Sequence, residues 1–255
     1  MCGEATKCVI QLYYTMSTPI ANGLANAIER RLALEILRGE RAPGSQLPPV
    51  RRLAHDHGTT APTIQRVIDR LEAGGLVSAR RGSGVTVNDP KRSGDLSLLP
   101  LWFEALESQP DRAAKILGDV LELRRVMAAH LVRTAAPRIA AAAPQLIALA
   151  LAVGRATTLA EVAETDLAFT AAVIDAAGQS AVAAIFHTTA RLVREVPHLR
   201  DALFADRAYH RRVLKRAAAA LARTPPAAAA AELEEVLAAW DRRTVSRFRA
   251  ALTAS

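Results

Sequence analysis

Turn-forming residues interrupt residues 39–84 at short intervals, and that punctuation limits what this part of the chain can become. Gly39 and Pro43-Gly44 close one apolar-periodic segment. Pro48-Pro49 opens a second and Gly58 stops it; Thr60 and Pro62 start a third and Gly74-Gly75 ends it. Arg81-Gly82-Ser83-Gly84 then separates two runs of a few residues each. Proline is tolerated in the first turn of a helix and not in its interior, while glycine ends helices by accepting left-handed backbone. The spacing therefore predicts three short helices followed by a tight hairpin.

The periodicity within these intervals agrees. Leu24, Ile28, Leu32 and Ile36 recur every fourth residue and predict an apolar stripe on a helix near 21–38. Val50, Leu53, Ala54 and His57 follow at i, i+3, i+4 and i+7, and Gly58 caps that helix. Thr60 is a favourable N-cap for the third, whose buried face reads Ile64, Val67, Ile68 and Leu71. Leu76–Arg80 and Val85–Val87 predict two strands around a glycine turn. Three short helices and a hairpin make a winged helix-turn-helix. A short helix offers phosphate its N-terminal N–H groups and the major groove its polar face; a Gly-containing basic hairpin tip approaches a groove closely. From Arg41 to Asn88 there are seven arginines against three acids, a surplus of four positive charges. They fall on the second helix (Arg51, Arg52), the polar face of the third (Arg66, Arg70) and the hairpin tip (Arg80, Arg81). That placement favours nucleic acid over an ordinary solvated face.

The rest of the chain differs in character. Residues 97–253 are Ala-rich, poor in glycine and free of strand-like alternation, and they predict six or seven helices over 98–108, 111–135, 137–153, 159–177, 179–195, 206–223 and 227–253. Pro100, Pro110, Pro137, Pro144, Gly154, Gly178, Pro197 and Pro225-Pro226 are the expected breaks, and those within a span blur its first turn or shorten it. Residues 89–96 have a linker's composition. Four parts are thus expected: a loose leader over 1–18, with Met16 an alternative start to Met1; a DNA-binding unit over 19–88; the linker; and a helical unit over 97–253 for effector binding and dimerisation. Cys2 and Cys8 in the leader give neither a disulfide framework nor a zinc spacing. The fold class is mainly α. No apolar run reaches the length of a membrane span, and Val9–Tyr14 is too short for a secretory h-region and has no small-residue cleavage pattern after it, so no membrane partner and a cytosolic setting are expected.

Within the helical region three polar residues share stripes with apolar ones. Arg124 lies with Leu117, Val120, Leu121 and Leu131; Asp166 with Leu159, Val162, Phe169 and Val173; His210 with Val213, Leu214, Ala217 and Leu221. A buried charge must be paired or must serve a ligand. An internal salt bridge of Asp166 with Arg124 or His210 explains them as well as a ligand site does. The sequence carries no nucleophile elbow, phosphate loop or zinc motif, so no catalytic residues are expected.

Leu47-Pro48-Pro49-Val50-Arg51-Arg52-Leu53-Ala54, then Gly58, Thr60, Thr63-Ile64, Leu71-Glu72-x-x-Gly75-Leu76-Val77 and Arg81-Gly82-Ser83-Gly84-Val85-x-Val87, resemble the DNA-binding domain of the GntR family. The resemblance implies a dimeric bacterial transcription regulator bound to double-stranded operator DNA, with Arg51, Thr60, Thr63, Arg81 and Gly82 at contact positions. Three departures imply a different operator: Ala61 and Pro62 where Arg and Thr are common, and Gln65 where Arg is common. Arginine reads guanine bidentately and glutamine reads adenine. Arg66, where an acid is common, adds a phosphate contact.

The helix order, with Asp166-x-x-Phe169 before Gly178-Gln179-Ser180, is similar to the ligand domain of the FadR-type GntR subfamily. Many members hold a divalent metal with an Asp and three His. Here Asp166 and His210 fall on two of those positions, Thr170 replaces a third, and no His lies between Ala227 and Ser255. No metal and no cofactor are therefore expected. Ser93–Leu99 and Leu123-Arg124 are similar to the fatty-acid-responsive branch, which implies a long-chain acyl-CoA effector near Arg124, Asp166, His210 and Trp240. A small carboxylate effector at Arg124, and a constitutive DNA binder with a purely structural helical domain, are the alternatives.

Overall fold

The computed structural model describes residues 21–80, 82–221 and 225–254, with side chains from residue 23 onward. The leader, Arg81 and residues 222–224 lie outside the described residues. The chain forms two compact units that part between Leu101 and Trp102.

The first unit runs α1 (Ala21–Arg38), α2 (Val50–Asp56), α3 (Ala61–Ala73), β1 (Val77–Arg80), β2 (Gly84–Val87) and α4 (Pro90–Ser93), then a 3-10 turn at Leu96–Leu98 and the start of α5 (Leu99–Ala105). Ile64, Val67, Ile68 and Leu71 of α3 are all buried, as their spacing requires. Ile28, Leu32 and Ile36 of α1 are buried too, but Leu24 is 46% exposed, so the α1 stripe is one turn shorter than the sequence predicts. His57 is the C-cap of α2 and not part of its apolar face, which is Leu53 and Ala54.

β1 and β2 pair antiparallel, with Val77 opposite Val87 and Arg80 opposite Gly84. A feature without sequence signal joins them: residues 44–47 run beside β2. The Gly44 and Leu47 N–H groups donate to the Val87 and Val85 carbonyls, both at 2.8 Å, and Val87 N–H donates to Ser45 at 2.8 Å. The wing is thus braced on its second edge, which blunts an otherwise open strand. Residues 89–96, linker-like in composition, are tied down. Asp89 caps α4 and Asp95 caps the 3-10 turn. Ser93 Oγ and Asn88 Nδ2 both donate to the Gly75 carbonyl, at 2.9 and 3.0 Å.

The second unit contains α6 (Pro110–Ala141), α7 (Ala143–Ala152), α8 (Leu159–Ala177), α9 (Ser180–Glu195), α10 (Pro197–Phe204), α11 (Arg207–Leu221) and α12 (Pro226–Ala254). α6 and α12, the longest, pack along each other. The expected break at Pro137 is present as a kink, with non-helical backbone at Ala135 (φ −128°, ψ 17°) inside α6; the sharper break, a 94° bend into α7, falls at Ala142, beside the expected breaker Pro144 in the first turn of α7. A mid-helix proline removes one hydrogen bond and crowds the preceding turn, and the packed flanks of α6 absorb that cost. The short α10 escapes sequence reading because Pro197 looks like a stop when it is a first-turn residue. α8 opens with a capping box, Glu161 N–H to Thr158 Oγ1 at 3.1 Å and Thr158 N–H to Glu161 at 3.2 Å, and ends at Gly178 in left-handed backbone. No single helix among the described residues is long and apolar enough to cross a membrane.

Candidate functional site

In the first unit, burial of its apolar face against α1 and α2 leaves the polar face of α3 in solvent. Pro62, Gln65 and Arg66 are exposed, as are Arg51, Arg52, Thr60 and Gly82; Thr63 is half-buried. Arg81 lies outside the described residues. Thr60 holds the N-cap position, yet its hydroxyl makes no cap bond and meets Thr63 Oγ1 at 3.0 Å. The Thr63 N–H goes to the Thr60 carbonyl and Pro62 has no N–H, so Ala61 carries the free donor at this helix start.

The arginines divide by what holds them. Arg41 is engaged by Glu35 at 2.7 Å, which with Arg31 keeps the Glu35 carboxyl below its usual range against the opposing effect of burial. Arg70 reaches back to α1, to Asn26 at 2.6 Å and Glu29 at 3.1 Å. Both arginines brace the fold. Arg52 faces Asp56 at 3.7 Å in an exposed pair, which is weak. Gln65 Nε2 donates to Asp69 at 3.0 Å. Arg51, Arg66 and Arg80 have no ion pair among the described residues. The sequence surplus of four charges therefore overstates what is unpaired, since Arg41 and Arg70 are held within the unit. The Glu72 carboxylate accepts the Ala79 N–H at 2.8 Å, so the end of α3 sets the position of the wing.

In the second unit a cavity of about 180 Å³ opens among α6, α8, α9, α10, α11 and α12. Its wall is almost entirely apolar, and Arg124, Asp166, His210 and Trp240 all belong to it. The polar groups form one contiguous strip. His210, 1% exposed, joins Nε2 to Asp166 Oδ1 at 2.9 Å. Its ring lies 4.9 Å from Phe204 and 5.2 Å from Trp240, and the Arg124 guanidinium lies 4.9 Å over the other partner of that strip, the Trp240 ring. Nε2 is the ring nitrogen that meets the Asp166 carboxyl. His210 Nδ1 and Arg124 Nε are buried with no hydrogen-bond partner among the described residues.

Sequence reading paired Asp166 with Arg124 or with His210; the pairing is with His210. Arg124 has a partner the sequence reading missed. Asp241 on α12, 5% exposed, accepts from Arg124 Nη2 at 2.5 Å and from Arg125 Nη1 at 3.0 Å. Burial pushes the Asp241 carboxyl above its ordinary value, against the pull of the two guanidiniums. Asp241 adjoins Trp240 on a helix whose apolar period was evident, but nothing in the sequence says which residue of α6 it meets. Thr170 lines the cavity, and among the described residues no three His, Cys, Asp or Glu side chains converge in a metal-ligating group.

Comparison with known proteins adds a frame. The family model described as "Bacterial regulatory proteins, gntR family" matches residues 24–87. The HTH-type transcriptional regulator Mce2R of Mycobacterium tuberculosis (strain CDC 1551 / Oshkosh) is 43% identical over 70 residues, which are 28% of this chain and 29% of that protein. The HTH-type transcriptional regulator YhcF of Bacillus subtilis (strain 168) is 36% identical over 94 residues, 37% of this chain and 74% of its own length. The match thus spans less than a third of the mycobacterial relative. Among solved structures, Lar, described as controlling expression of the Listeria monocytogenes agr system, superposes with a TM-score of 0.52 over 86% of this chain and 95% of its own, at 16% identity. That is a likeness of fold.

Proposed function

The chain belongs to the GntR family of bacterial regulatory proteins, and from that premise we propose that it is a DNA-binding transcriptional regulator whose operator affinity is set by a small molecule held in the helical unit. The observation that carries the DNA-binding part is the division of the arginines. Arg41 and Arg70 are consumed inside the first unit, while Arg51, Arg66 and Arg80 stand exposed with no ion pair among the described residues. Thr60, Pro62, Thr63 and Gln65 face the bases, Arg51, Arg52 and Arg66 the phosphates, and Arg81 with Gly82 a groove. Such an arrangement gives register through phosphate and sequence through base edges. One winged helix covers one half-site, so a homodimer on a pseudo-palindrome follows from symmetry. A regulator acting on chromosomal operators would act in the cytoplasm. No catalytic role is proposed, in keeping with relatives named as transcriptional regulators.

Support for effector control is the cavity itself. A protein interior is close-packed, and a purely structural bundle has no use for an apolar chamber carrying unfilled hydrogen-bonding atoms. At about 180 Å³ it lies below the usual ligand-pocket range of roughly 300–1,000 Å³. That size favours a small effector. A long-chain acyl-CoA is the second reading, supported by the apolar wall; it requires α9, which fully buries only Ala190 and Leu192, to move outward against the Arg194–Glu164 pair that ties it to α8 at 2.8 and 2.9 Å. Anisotropy titration of the full-length protein on selected operator DNA, with and without metabolite extract fractions, tests the proposal. A fraction that changes operator affinity at least tenfold supports it. Operator binding indifferent to every fraction leaves the constitutive binder.

A further inference from the structure

The acids of the first unit are engaged, with one exception, by cations or by backbone N–H groups. Glu29 takes Arg70, Glu35 takes Arg31 and Arg41, Glu40 faces Arg38 and Asp56 faces Arg52. Glu72 accepts the Ala79 N–H, and Asp89 and Asp95 accept the N–H groups of Lys91 and Ser97. Asp69 is the exception: among the described residues it meets neither a cation nor a backbone N–H. It accepts instead from a neutral amide, Gln65 Nε2, at 3.0 Å. A cation is near in sequence, since Arg66 stands three residues earlier on α3, exposed and with no ion pair among the described residues. Gln65 and Asp69 lie one helical turn apart, both exposed, on the side of α3 opposite its buried face. A carboxylate on a surface offered to phosphates repels them, so Asp69 works against DNA affinity as such.

We propose that Asp69 is a positioning residue for base reading, which fixes the Gln65 amide in the orientation that selects adenine. The inference rests on the reading of Gln65 as a base contact. An amide carries two N–H donors at Nε2 and an acceptor at Oε1, and a half-turn about its last bond exchanges their places. Adenine read bidentately needs both kinds, a donor for its N7 and an acceptor for its N6 amino group. Guanine offers only the N7 and O6 acceptors there, thymine the O4 acceptor and cytosine the N4 donor. An amide free to turn satisfies each of these with one bond or another. An ionised carboxylate accepts and never donates, so only Nε2 can face Asp69. That bond occupies one N–H and leaves the other N–H and Oε1 for a base, the donor and acceptor that adenine requires. Asparagine in place of Asp69 both accepts and donates, so it holds the amide either way round and removes the bias. The carboxylate thus weakens binding to DNA in general and sharpens the choice of base, which is where specificity resides.

The test uses the full-length protein and duplexes built on its selected operator, with each of the four base pairs in turn at the Gln65 step. Anisotropy is read for wild type, Asp69→Asn, Asp69→Ala, Asp69→Glu, Gln65→Ala and the double variant Gln65→Ala/Asp69→Ala, each checked by circular dichroism and thermal melting. Wild type prefers adenine by about tenfold, within the range of one bidentate contact. Asp69→Asn and Asp69→Ala cut that preference about threefold, yet bind random-sequence duplex about twofold more tightly at low salt, because a repelling charge is gone. Asp69→Glu keeps a carboxylate within reach of an amide one turn away and keeps the preference. In the double variant the base preference equals that of Gln65→Ala alone, since Asp69 acts through Gln65. Affinity that falls equally for all four base pairs in the Asp69 variants marks a merely structural role and overturns the proposal. An unchanged adenine preference in those variants, beside its loss in Gln65→Ala, also overturns it and leaves the base reading standing. Where no base is preferred at the step, or Gln65→Ala leaves the preference intact, Gln65 reads no base and the proposal falls with that reading.

Discussion

Replacing Gly75 with alanine tests how the wing is anchored, and Gly82→Ala is its internal control. Both glycines have left-handed backbone, φ +75° and +80°. An alanine in that region costs about 1–2 kcal/mol. At Gly82 the added methyl meets nothing within 4 Å, so that strain is the whole cost. At Gly75 it would lie 2.0 Å from the Ser93 carbonyl oxygen and 2.8 Å from the Ser93 carbonyl carbon, both backbone atoms. The chain at Ser93 must retreat, and the Gly75 carbonyl loses its bonds from Ser93 Oγ and Asn88 Nδ2. Two hydrogen bonds at about 1 kcal/mol each bring the total to roughly 3–4 kcal/mol. Both tryptophans, Trp102 and Trp240, sit in the second unit, so fluorescence does not report on this event. Amide hydrogen exchange does, at Asn88 N–H on Leu76 and Val87 N–H on Ser45. With tenfold per 1.4 kcal/mol, Gly75→Ala accelerates exchange there at least a hundredfold and Gly82→Ala about tenfold. Equal acceleration in the two variants refutes the argument from the Ser93 contact.

Other expectations follow from single interactions. Arg66→Ala and Arg51→Ala each reduce the salt slope of DNA binding by about 0.9 if they contact one phosphate, whereas Arg70→Ala, already bound to Asn26 and Glu29, leaves the slope unchanged; anisotropy across a potassium chloride series checks this. Thr158→Ala removes the cap of α8 and costs about 1 kcal/mol in urea unfolding of the second unit. Asp241 has a folded-state pKa above its ordinary value of 3.8, so the stability carried by its proton is full below pH 3.8 and is lost as pH rises through the folded value. Asp241→Asn removes that pH-dependent segment just above pH 3.8, and thermal melts of both proteins across pH 3.5–6 read it.

Local rules made the first unit legible. The i, i+3, i+4, i+7 spacing of Ile64 to Leu71 and the glycines at 58, 75 and 82 act over a few residues, and the structure keeps each in the role its chemistry allows. What escaped was non-local. The pairing of residues 44–47 with β2 has no pattern, because one bridge gives no alternation to read. In the second unit, periodicity placed Arg124, Asp166 and His210 inward but left open which faces meet. Asp241 lies 117 residues from Arg124, and the choice between it and Asp166 is made by packing of α6 on α12. Pro137 and Pro144 marked where α6 kinks and where it gives way to α7, but not that the bend at Ala142 is the sharper of the two, because proline announces a break and not its angle.

The most direct test of the central claim is selection of duplex DNA from a randomised pool by the purified full-length protein, followed by sequencing. The account predicts enrichment of a pseudo-palindrome with two equal half-sites, at least one adenine facing Gln65, and loss of enrichment at that base in Gln65→Ala. A pool that stays random, while binding remains strong and salt-dependent, would contradict the regulator and leave a protein that holds DNA by charge alone.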